Sequence, residues 1–225
     1  MFTKHSARIE HNYPRGVFIT ELLVRDGILY EGVLSAIYNN RPYVSAVGFI
    51  KRGDYIEIKV YKNSTLYRVV RELSRFVLNI TLDPLVIVYS AFKKHLDTSY
   101  VEKDLERNGD LVFSKSALAH IVVEKTHEDE YEEFSLFKFK VVSISVNRDV
   151  VFEPFTRCYS NLIELAIYVS KLLSIKEPAS ELLEELNSRI DSSLTVITKT
   201  CNEEYREVAY KLTRLIMRVE RENNH

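Results

Sequence analysis

The chain has 225 residues, of which 46% are hydrophobic and 28% charged, a composition typical of a globular protein with a sizeable buried core. Its 31 Lys and Arg residues balance 32 Asp and Glu residues, and the formal net charge of -1 excludes an overall basic field that would gather nucleic acid or an anionic membrane. Because no apolar run approaches the length of a membrane span either, we expect neither nucleic acid nor membrane as a partner.

Strand patterns fill the first two thirds of the chain and predict an antiparallel meander. The first strand is expected at 16–24, and segments that alternate apolar and polar residues follow between turn signals at 26–27, 39–42 and 51–54. A helix is expected at 66–74 and a short strand at 76–81, before two long strands that flank the acidic run HEDEYEE at 127–133. Because a parallel sheet would need a crossover helix after each strand, about six strands with one intervening helix favour a small barrel.

Three other features predict no chemical site. Residues 91–110 carry charges of alternating sign and predict a mobile loop or a short helix that serves as a solvated connector, with a lid over a ligand as the alternative. The two cysteines, Cys158 and Cys201, lie far from any metal-ligand spacing and predict reduced, free thiols. His127 opens an acidic run that offers ligands for a divalent cation, but such a run between strands is usually a solvated loop, so no metal is expected.

Helical periodicity begins near residue 151 and predicts a C-terminal appendage. Apolar residues recur at the spacing of one helix face within 158–175, 179–190 and 203–219. The segment SLTVITKT at 193–200 is β-branched enough to form a short strand, and an irregular connector fits it equally well. We therefore expect two parts, residues 1–150 and residues 151–225.

The segment KVYKNSTLYRVVRELSRFVLNITLDP, at 59–84, places a strand directly before a hydroxyl-rich helix start. Ser64 lies in the N-cap region, where side-chain oxygens meet free backbone N–H groups. Lys62 and Thr65 flank it, and Arg68 lies one helical turn beyond it. Because the dipole and the N–H groups of a helix start attract anions, these four residues predict a phosphate site, with a plain capped helix as the alternative.

Three motifs follow the pattern of a known family. The first is a strand with small residues and a glycine, YVSAVGF at 43–49; the second is a basic residue before the helix start described above; the third is a strand that ends in Asn-Ile-Thr before an aspartate. The matching residues are Ser45, Ala46, Gly48, Lys62, Ser64, Tyr67, Arg68, Asn79, Thr81 and Asp83, with Arg157 and Glu164 in the helical part. Over most of its length the chain resembles the FMN-binding split-barrel proteins, and within them the uncharacterised, largely archaeal family called domain of unknown function 447.

The resemblance implies an α+β, mainly β fold, in which residues 1–150 form an antiparallel split β-barrel of the flavin-reductase-like type and residues 151–225 a C-terminal helical subdomain. It implies FMN as the cofactor and a homodimer, because split-barrel flavoproteins bind FMN at a dimer interface. The residues implied for the FMN phosphate are Lys62, Ser64, Thr65 and Arg68. Those implied for the ring are Ser45 and Ala46, which allow close backbone approach, and Asn79 and Thr81, which reach its polar edge.

Two functions from different classes stay open. The first is a cytoplasmic FMN-dependent oxidoreductase, such as a flavin reductase, with NADH or NADPH as the candidate reductant and an unidentified small substrate. The second is a cofactor-poor scaffold that works as a dimeric protein-interaction module. Leu66 and Val69 favour the second, because the family usually has a Thr and an Asn there; in the helical part, Tyr168 and Lys171 replace a His and an Arg. Neither the residues nor the resemblance supplies a catalytic acid or base.

Overall fold

The computed structural model describes residues 24–147, 157–175 and 179–223, with side chains described as far as residue 216. Its strands are β1 Leu29–Tyr38, β2 Arg41–Arg52, β3 Tyr55–Tyr61, β4 Arg75–Ile80, β5 Leu105–Asn108, β6 Leu111–Ser114, β7 Ala119–Glu130 and β8 Phe134–Val146. Six of them close into an antiparallel barrel in the order β1-β2-β3-β8-β7-β4, while β5 and β6 form a separate hairpin. The antiparallel barrel expected from the sequence is confirmed.

Helices lie within and after the barrel sequence. In the described residues they are α1 Thr65–Glu72, α2 Pro84–Ala91, α3 Ser99–Asp104, α4 Arg157–Ser174, α5 Ser180–Thr200 and α6 Glu203–Asn223. The last three confirm the helical C-terminal part, and none of the helices in the described ranges is long and apolar enough to span a membrane. Residues 193–200, left open between strand and connector, are helical, because buried Ile190 and Ile197 continue one face of α5.

The β1–β2 hairpin shows how local chemistry sets the strand register. Asn39 and Asn40 both have positive φ, 50° and 61°, as the mirror-image turn of a tight hairpin requires. Asparagine tolerates this region better than other non-glycine residues, so the pair fixes ten consecutive partners from Tyr38–Arg41 to Leu29–Ile50. The first strand expected, at 16–24, lies outside the described residues except for Val24.

The barrel interior is filled by aromatic and β-branched side chains. Phe49, Phe76, Phe137 and Phe139 are each at most 1% exposed. Helix α1 seals one end of this core with four buried side chains: Leu66, Tyr67, Val69 and Val70. Leu66 and Val69, which stand where the family usually has polar residues, therefore face the barrel core.

A second core joins α2 to the C-terminal helices. Leu85, Val88 and Phe92 of the α2 segment pack with buried side chains of α4, α5 and α6. The other face of α2 presents Val86 and Ile87 to Val33 of β1 and Val44 of β2. Helix α2 thus lies between the barrel wall and the helical part, and residues on both sides of the expected boundary near 150 share one core.

The expectation of free cysteines is wrong. Cys158 at the start of α4 and Cys201 directly after α5 form a disulfide, with Cα atoms 5.1 Å apart. They are 43 residues apart in sequence, and only the antiparallel packing of α4 on α5 brings them together. Both side chains are buried in the second core.

Two loop expectations are right only in part. The acidic run at 127–133 is strand as far as Glu130, and only 131–133 form the exposed hairpin loop; Asp129 pairs with Lys138 at 2.9 Å and Glu130 with Lys62 at 2.6 Å. Residues 91–110, expected to be a loop or a short helix, contain the short helix α3 and also β5, which was not expected. The preceding helix α2 was missed because its sequence PLVIVYSA is apolar on every side and lacks helical periodicity.

Candidate functional site

The barrel opens between β2 and β3. Pairing of these strands runs only from Arg52–Tyr55 to Phe49–Ile58, although β3 continues to Tyr61 along β8. Within the described chain, residues 41–48 of β2 therefore have β1 as their strand neighbour on one side and no strand on the other. We call residues 41–48 the β2 edge. An unpaired edge presents backbone N–H and C=O groups, which a flat polar ligand can bond as a further strand would.

Ser45 and Ala46 both lie on the β2 edge, with their side chains on opposite faces. Ala46 packs outside the barrel against the cluster that contains Val33 and Val44. Ser45 shares the alternate face with Tyr43, which packs against the barrel core. Only the backbone between Ser45 and Ala46 is common to both, so a ligand at this edge would be held by main-chain groups.

Tyr43 stands at the centre of a polar cluster beside the β2 edge. Burial raises its pKa to about 12, while a hydrogen bond with Ser45 and the charge of Arg68 act in the opposite direction. The ammonium of Lys93 lies 3.6 Å from the centroid of the Tyr43 ring and donates a hydrogen bond to the carbonyl oxygen of Val44. The Lys93 ammonium thus packs on the Tyr43 ring, and the charge of Arg68 on α1 acts on the same tyrosine.

Lys93 is the residue that the sequence interpretation missed. Burial, and to a lesser degree the charge of Lys94, lowers the pKa of Lys93 to about 8. The residue was assigned to a solvated connector, although Asp83-Pro84 before an apolar run is a helix-start signal. Had α2 been expected, the Phe92-Lys93 sequence would have placed a lysine beside a buried side chain.

The start of α1 has the expected cap. The Ser64 Oγ accepts a hydrogen bond from the Tyr67 N–H at 3.1 Å and donates one to the Tyr61 carbonyl oxygen at 2.7 Å. Thr65 is the first helical residue and is half-buried, and the Arg68 side chain is exposed one turn later. The N-cap role of Ser64 is confirmed, and the structure brings Ser64, Thr65 and Arg68 into one helical turn.

Lys62, unlike these three residues, is bonded to the β7–β8 hairpin. Its ammonium lies 2.6 Å from the Glu130 Oε1, and its backbone N–H donates to the Glu133 carbonyl oxygen at 2.9 Å. Both contacts tie it to the tip of the β7–β8 hairpin. By contrast, within the described residues neither Arg68 nor Lys93 has a carboxylate oxygen within 4.0 Å.

Asn79 is buried and fully hydrogen-bonded inside the protein. Its amide N–H groups donate to the Val33 carbonyl oxygen at 3.0 Å and to the Ser35 Oγ at 2.8 Å, and its Oδ1 accepts from the Ser114 N–H at 2.8 Å. These bonds fasten the β5–β6 hairpin onto β1 and β4. Strand β1 separates Asn79 from β2, so the structure does not bring this amide to the β2 edge.

Thr81 likewise has a structural role, in the turn between β4 and α2. The Thr81 Oγ1 accepts from the Asp83 N–H at 3.0 Å, and Asp83 in turn caps α2 by accepting from the Leu85 N–H at 2.8 Å. The second Asp83 oxygen accepts from the Tyr100 hydroxyl at 2.9 Å, and burial raises the pKa of this carboxyl. The Asn-Ile-Thr-Leu-Asp motif thus builds the exit from β4 and the start of α2.

A pair of carboxyl groups lies on the outer face of β1. Burial raises the pKa of Glu31, and the charge of Glu164 on α4 raises it further. Glu31 pairs with Gly48 of β2, where an added Cβ would lie 3.6 Å from the Glu31 Oε1. A carboxyl group with a raised pKa therefore lies beside the β2 edge.

Another concave surface is lined by carboxylates that already accept hydrogen bonds from the chain itself. A cleft of about 500 Å³ is lined by residues of α2, α3 and α6, including Asp83, Asp97 and Asp104. Asp97 accepts from the Ser99 N–H and Asp104 from the Ser116 N–H, each at 2.9 Å. In this cleft, as in the rest of the described residues, no three His, Cys, Asp or Glu side chains are close enough together to hold a metal ion.

Comparison with known proteins identifies the family and the fold of the chain. The family model described as "Protein of unknown function (DUF447) N-terminal domain" matches residues 30–148. Among solved structures, the FMN-bound protein from Methanosarcina mazei, assigned to the same family, has a TM-score of 0.71 at 16% identity and covers 87% of this chain and 98% of its own.

Two further solved structures are more distant. The flavin reductase HpaC complexed with NADP+ has a TM-score of 0.48 at 14% identity, over 61% of this chain and 90% of its own. A flavoredoxin from Methanosarcina acetivorans has a TM-score of 0.46 at 11% identity, over 55% and 72%. No curated protein matches the chain. The expected family is confirmed: the chain belongs to the family of unknown function DUF447 and contains its N-terminal domain at residues 30–148.

Proposed function

We propose that this protein is an FMN-binding flavoprotein. The observation that carries the proposal is the β2 edge, along which the described residues place no further strand, together with the start of α1, where the charge of Arg68 acts on Tyr43. A strand edge suits the flat polar ring of a flavin, and a helix start with a guanidinium that has no carboxylate partner among the described residues suits its phosphate. The FMN-bound family member from Methanosarcina mazei, which shares the fold, supports the same assignment.

The residues present fit FMN in a particular way. The phosphate would be held by the first N–H groups of α1 and by Arg68, with Ser64 shaping the turn. The backbone at Ser45 and Ala46 would bond the ring. Lys62 joins them only by leaving Glu130, which makes it the weakest of the expected phosphate contacts. When bound, FMN supplies hydride or electron transfer, and the protein positions it.

The finer functional assignment is a flavin-dependent oxidoreductase, such as a flavin reductase, with NADH or NADPH as reductant. The free backbone edge of β2 within the described residues supports it, because a ring bonded along a strand edge keeps one face for a reductant. We further propose a cytoplasmic homodimer, in which a second copy covers the ring. The Cys158–Cys201 disulfide restricts this proposal, because structural disulfides are rare in a reducing cytoplasm. Cytoplasmic proteins of hyperthermophiles are the exception, so a cytoplasmic location fits that kind of source.

A cofactor-poor scaffold is the second candidate. The Lys62–Glu130 ion pair favours it, because it occupies one expected phosphate ligand. Leu66 and Val69 no longer do, since both side chains are buried in the barrel core and a polar group there would not face a ligand. We keep the division near residue 150 as a proposal for the two parts, although α2 links their cores.

Titration of the wild-type protein and of an Arg68→Ala, Ser64→Ala variant with FMN and with riboflavin tests the proposal. Riboflavin lacks the phosphate, so loss of the cradle should weaken FMN binding at least about tenfold, or about 1.4 kcal/mol, and leave riboflavin binding in place. Arg71→Ala is the matched control, because Arg71 lies on the same helix and pairs with Glu128. If the wild-type protein binds neither flavin, the proposal fails and the scaffold function gains support.

A further inference from the structure

We propose that Lys93 supplies the positive charge beside the flavin ring and so raises the reduction potential of the bound cofactor. This inference rests on the proposed FMN function and adds a residue that neither the family resemblance nor the motifs indicate. It assigns to the end of α2, outside the expected cofactor set, a direct role in how the protein tunes its ligand.

The position of the Lys93 ammonium is fixed by two contacts with β2. It donates to the carbonyl oxygen of Val44, and it lies 3.6 Å from the centroid of the Tyr43 ring. Val44 directly precedes Ser45 on the β2 edge, where the ring would bond. The ammonium therefore stands at the main chain that would hold the ring, while Arg68 approaches Tyr43 from α1.

Within the described residues, Lys93 differs from the other buried or half-buried lysines in that no carboxylate pairs with it or raises its pKa. Lys51 pairs with Asp26, and Lys62 pairs with Glu130. Lys125 donates to the carbonyl oxygens of Val70 and Arg71 and feels the charge of Glu128. Lys93 has only a carbonyl oxygen and an aromatic face within the described chain.

A half-buried ammonium without a counter-ion is unfavourable in the free protein. Burial lowers the pKa of Lys93 to about 8, which shows that the environment disfavours its charge. A ligand that brings electron density to the same spot would relieve this cost, and polar groups kept in such an unfavourable state are frequent at functional sites. The pyrimidine edge of a flavin is such a ligand, because its carbonyl oxygens and ring nitrogens are hydrogen-bond acceptors.

A cation at that edge has a defined electronic effect. Positive charge near the ring nitrogens stabilises negative charge added on reduction, so it favours the reduced over the oxidised cofactor. The effect depends on the ring and not on the phosphate. Lys93 and Arg68 should therefore separate in experiment: Arg68 distinguishes FMN from riboflavin, whereas Lys93 acts on both flavins alike.

The test uses Lys93→Met and Lys93→Gln, which remove the charge, and Lys93→Arg, which keeps it; Lys93→Gln also retains a donor for the Val44 carbonyl oxygen. Lys94→Met is the matched control, because Lys94 is the exposed neighbour. Thermal unfolding of each variant identifies any that fails to fold, and the dissociation constants of FMN and riboflavin and the midpoint potential of bound FMN are then measured.

We expect Lys93→Met and Lys93→Gln to weaken both flavins by a similar factor. The ratio of reduced to oxidised affinity should fall about tenfold, which lowers the midpoint potential by about 30 mV for a two-electron couple. Lys93→Arg and Lys94→Met should stay near wild type.

Three results would overturn the inference. Unchanged affinities and potential in Lys93→Gln while the wild-type protein binds FMN would refute the role of Lys93 alone. A loss of affinity for FMN but not for riboflavin would show that the Lys93 ammonium contacts the phosphate and not the ring. Absence of binding of either flavin to the wild-type protein would refute the proposed function, and the inference with it.

Discussion

Two polar residues of the segment 59–84, Arg68 and Asn79, differ in their surroundings and therefore in their roles. Arg68 is exposed and without a carboxylate partner in the described chain, whereas Asn79 is fully buried and its side chain is bonded to β1 and β6. The helix-start pattern predicts Arg68 as a phosphate ligand, and the family resemblance implies Asn79 for the ring of the same cofactor. A polar residue whose hydrogen-bonding groups are all bonded inside the protein has a structural role, whereas one with an unpaired charge can bind a ligand. Closeness within one sequence motif does not distinguish the two.

The largest expected effect lies at Asn79. Asn79→Ala removes two donors and an acceptor and leaves the Ser114 N–H without its partner, so we expect a loss of about 3 kcal/mol in the free energy of unfolding. Chemical denaturation measures it, with the exposed Asn63→Ala as control. A stable variant that binds both FMN and riboflavin more weakly would reverse the assignment and return Asn79 to the ring.

Asp83→Ala should show an intermediate effect on stability. It removes the N-cap of α2 and the acceptor of the Tyr100 hydroxyl, and we expect a loss of about 1–2 kcal/mol. Asp97→Ala, which also removes an acceptor from the N–H of a nearby residue but is exposed, is the control. An equal loss in both variants would contradict the claim that the third motif builds the start of α2.

Raising the pH should weaken FMN binding through Lys93. Its pKa of about 8 in the free protein means that the ammonium is mostly present at pH 7, half lost at pH 8 and mostly lost at pH 9, so affinity should fall by up to about tenfold between pH 7 and pH 9. Beside it stand Lys94 and Tyr43, and burial keeps Tyr43 neutral over this range by raising its pKa to about 12. In Lys93→Arg, FMN affinity should not decrease over this pH range. An unchanged decrease in that variant would show that another group titrates.

Lys62→Met should have the smallest effect. Because the Lys62 ammonium is already paired with Glu130 and partly exposed, we expect FMN affinity to change by less than about threefold. Glu130→Gln is the companion variant, since it frees the lysine. A loss in Lys62→Met as large as that in Arg68→Ala would show that the ion pair opens when phosphate binds.

Much of the barrel could be predicted because its signals are local. Turn chemistry at Asn39 and Asn40, alternation along the strands and the Ser64 cap each depend on neighbours in sequence. The features that could not be predicted depend on distant partners. Asn79 bonds Ser114, 35 residues away, the disulfide joins residues 43 apart, and the acidic end of β7 is stabilised by Lys62 and Lys138.

The candidate site divides in the same way. The helix start with Ser64, Thr65 and Arg68 was found from spacing, because consecutive turns of one helix place its residues. Lys93 was missed because α2 is apolar all round and its end lies beside β2 only after the chain has folded. Ser45 and Ala46 were found from the family resemblance, but the reason they are open, the early end of β2–β3 pairing, is a matter of strand register.

The visible absorption spectrum of the protein purified without added cofactor, followed by titration with FMN and riboflavin, tests the central claim most directly. The account predicts a flavin spectrum or saturable binding, with FMN bound more tightly than riboflavin by at least about tenfold, as a phosphate held by a guanidinium and helix N–H groups requires. No spectrum and no saturable binding of either flavin would contradict it, and would leave the α1 start as a capped helix and the β2 edge as a surface for another protein.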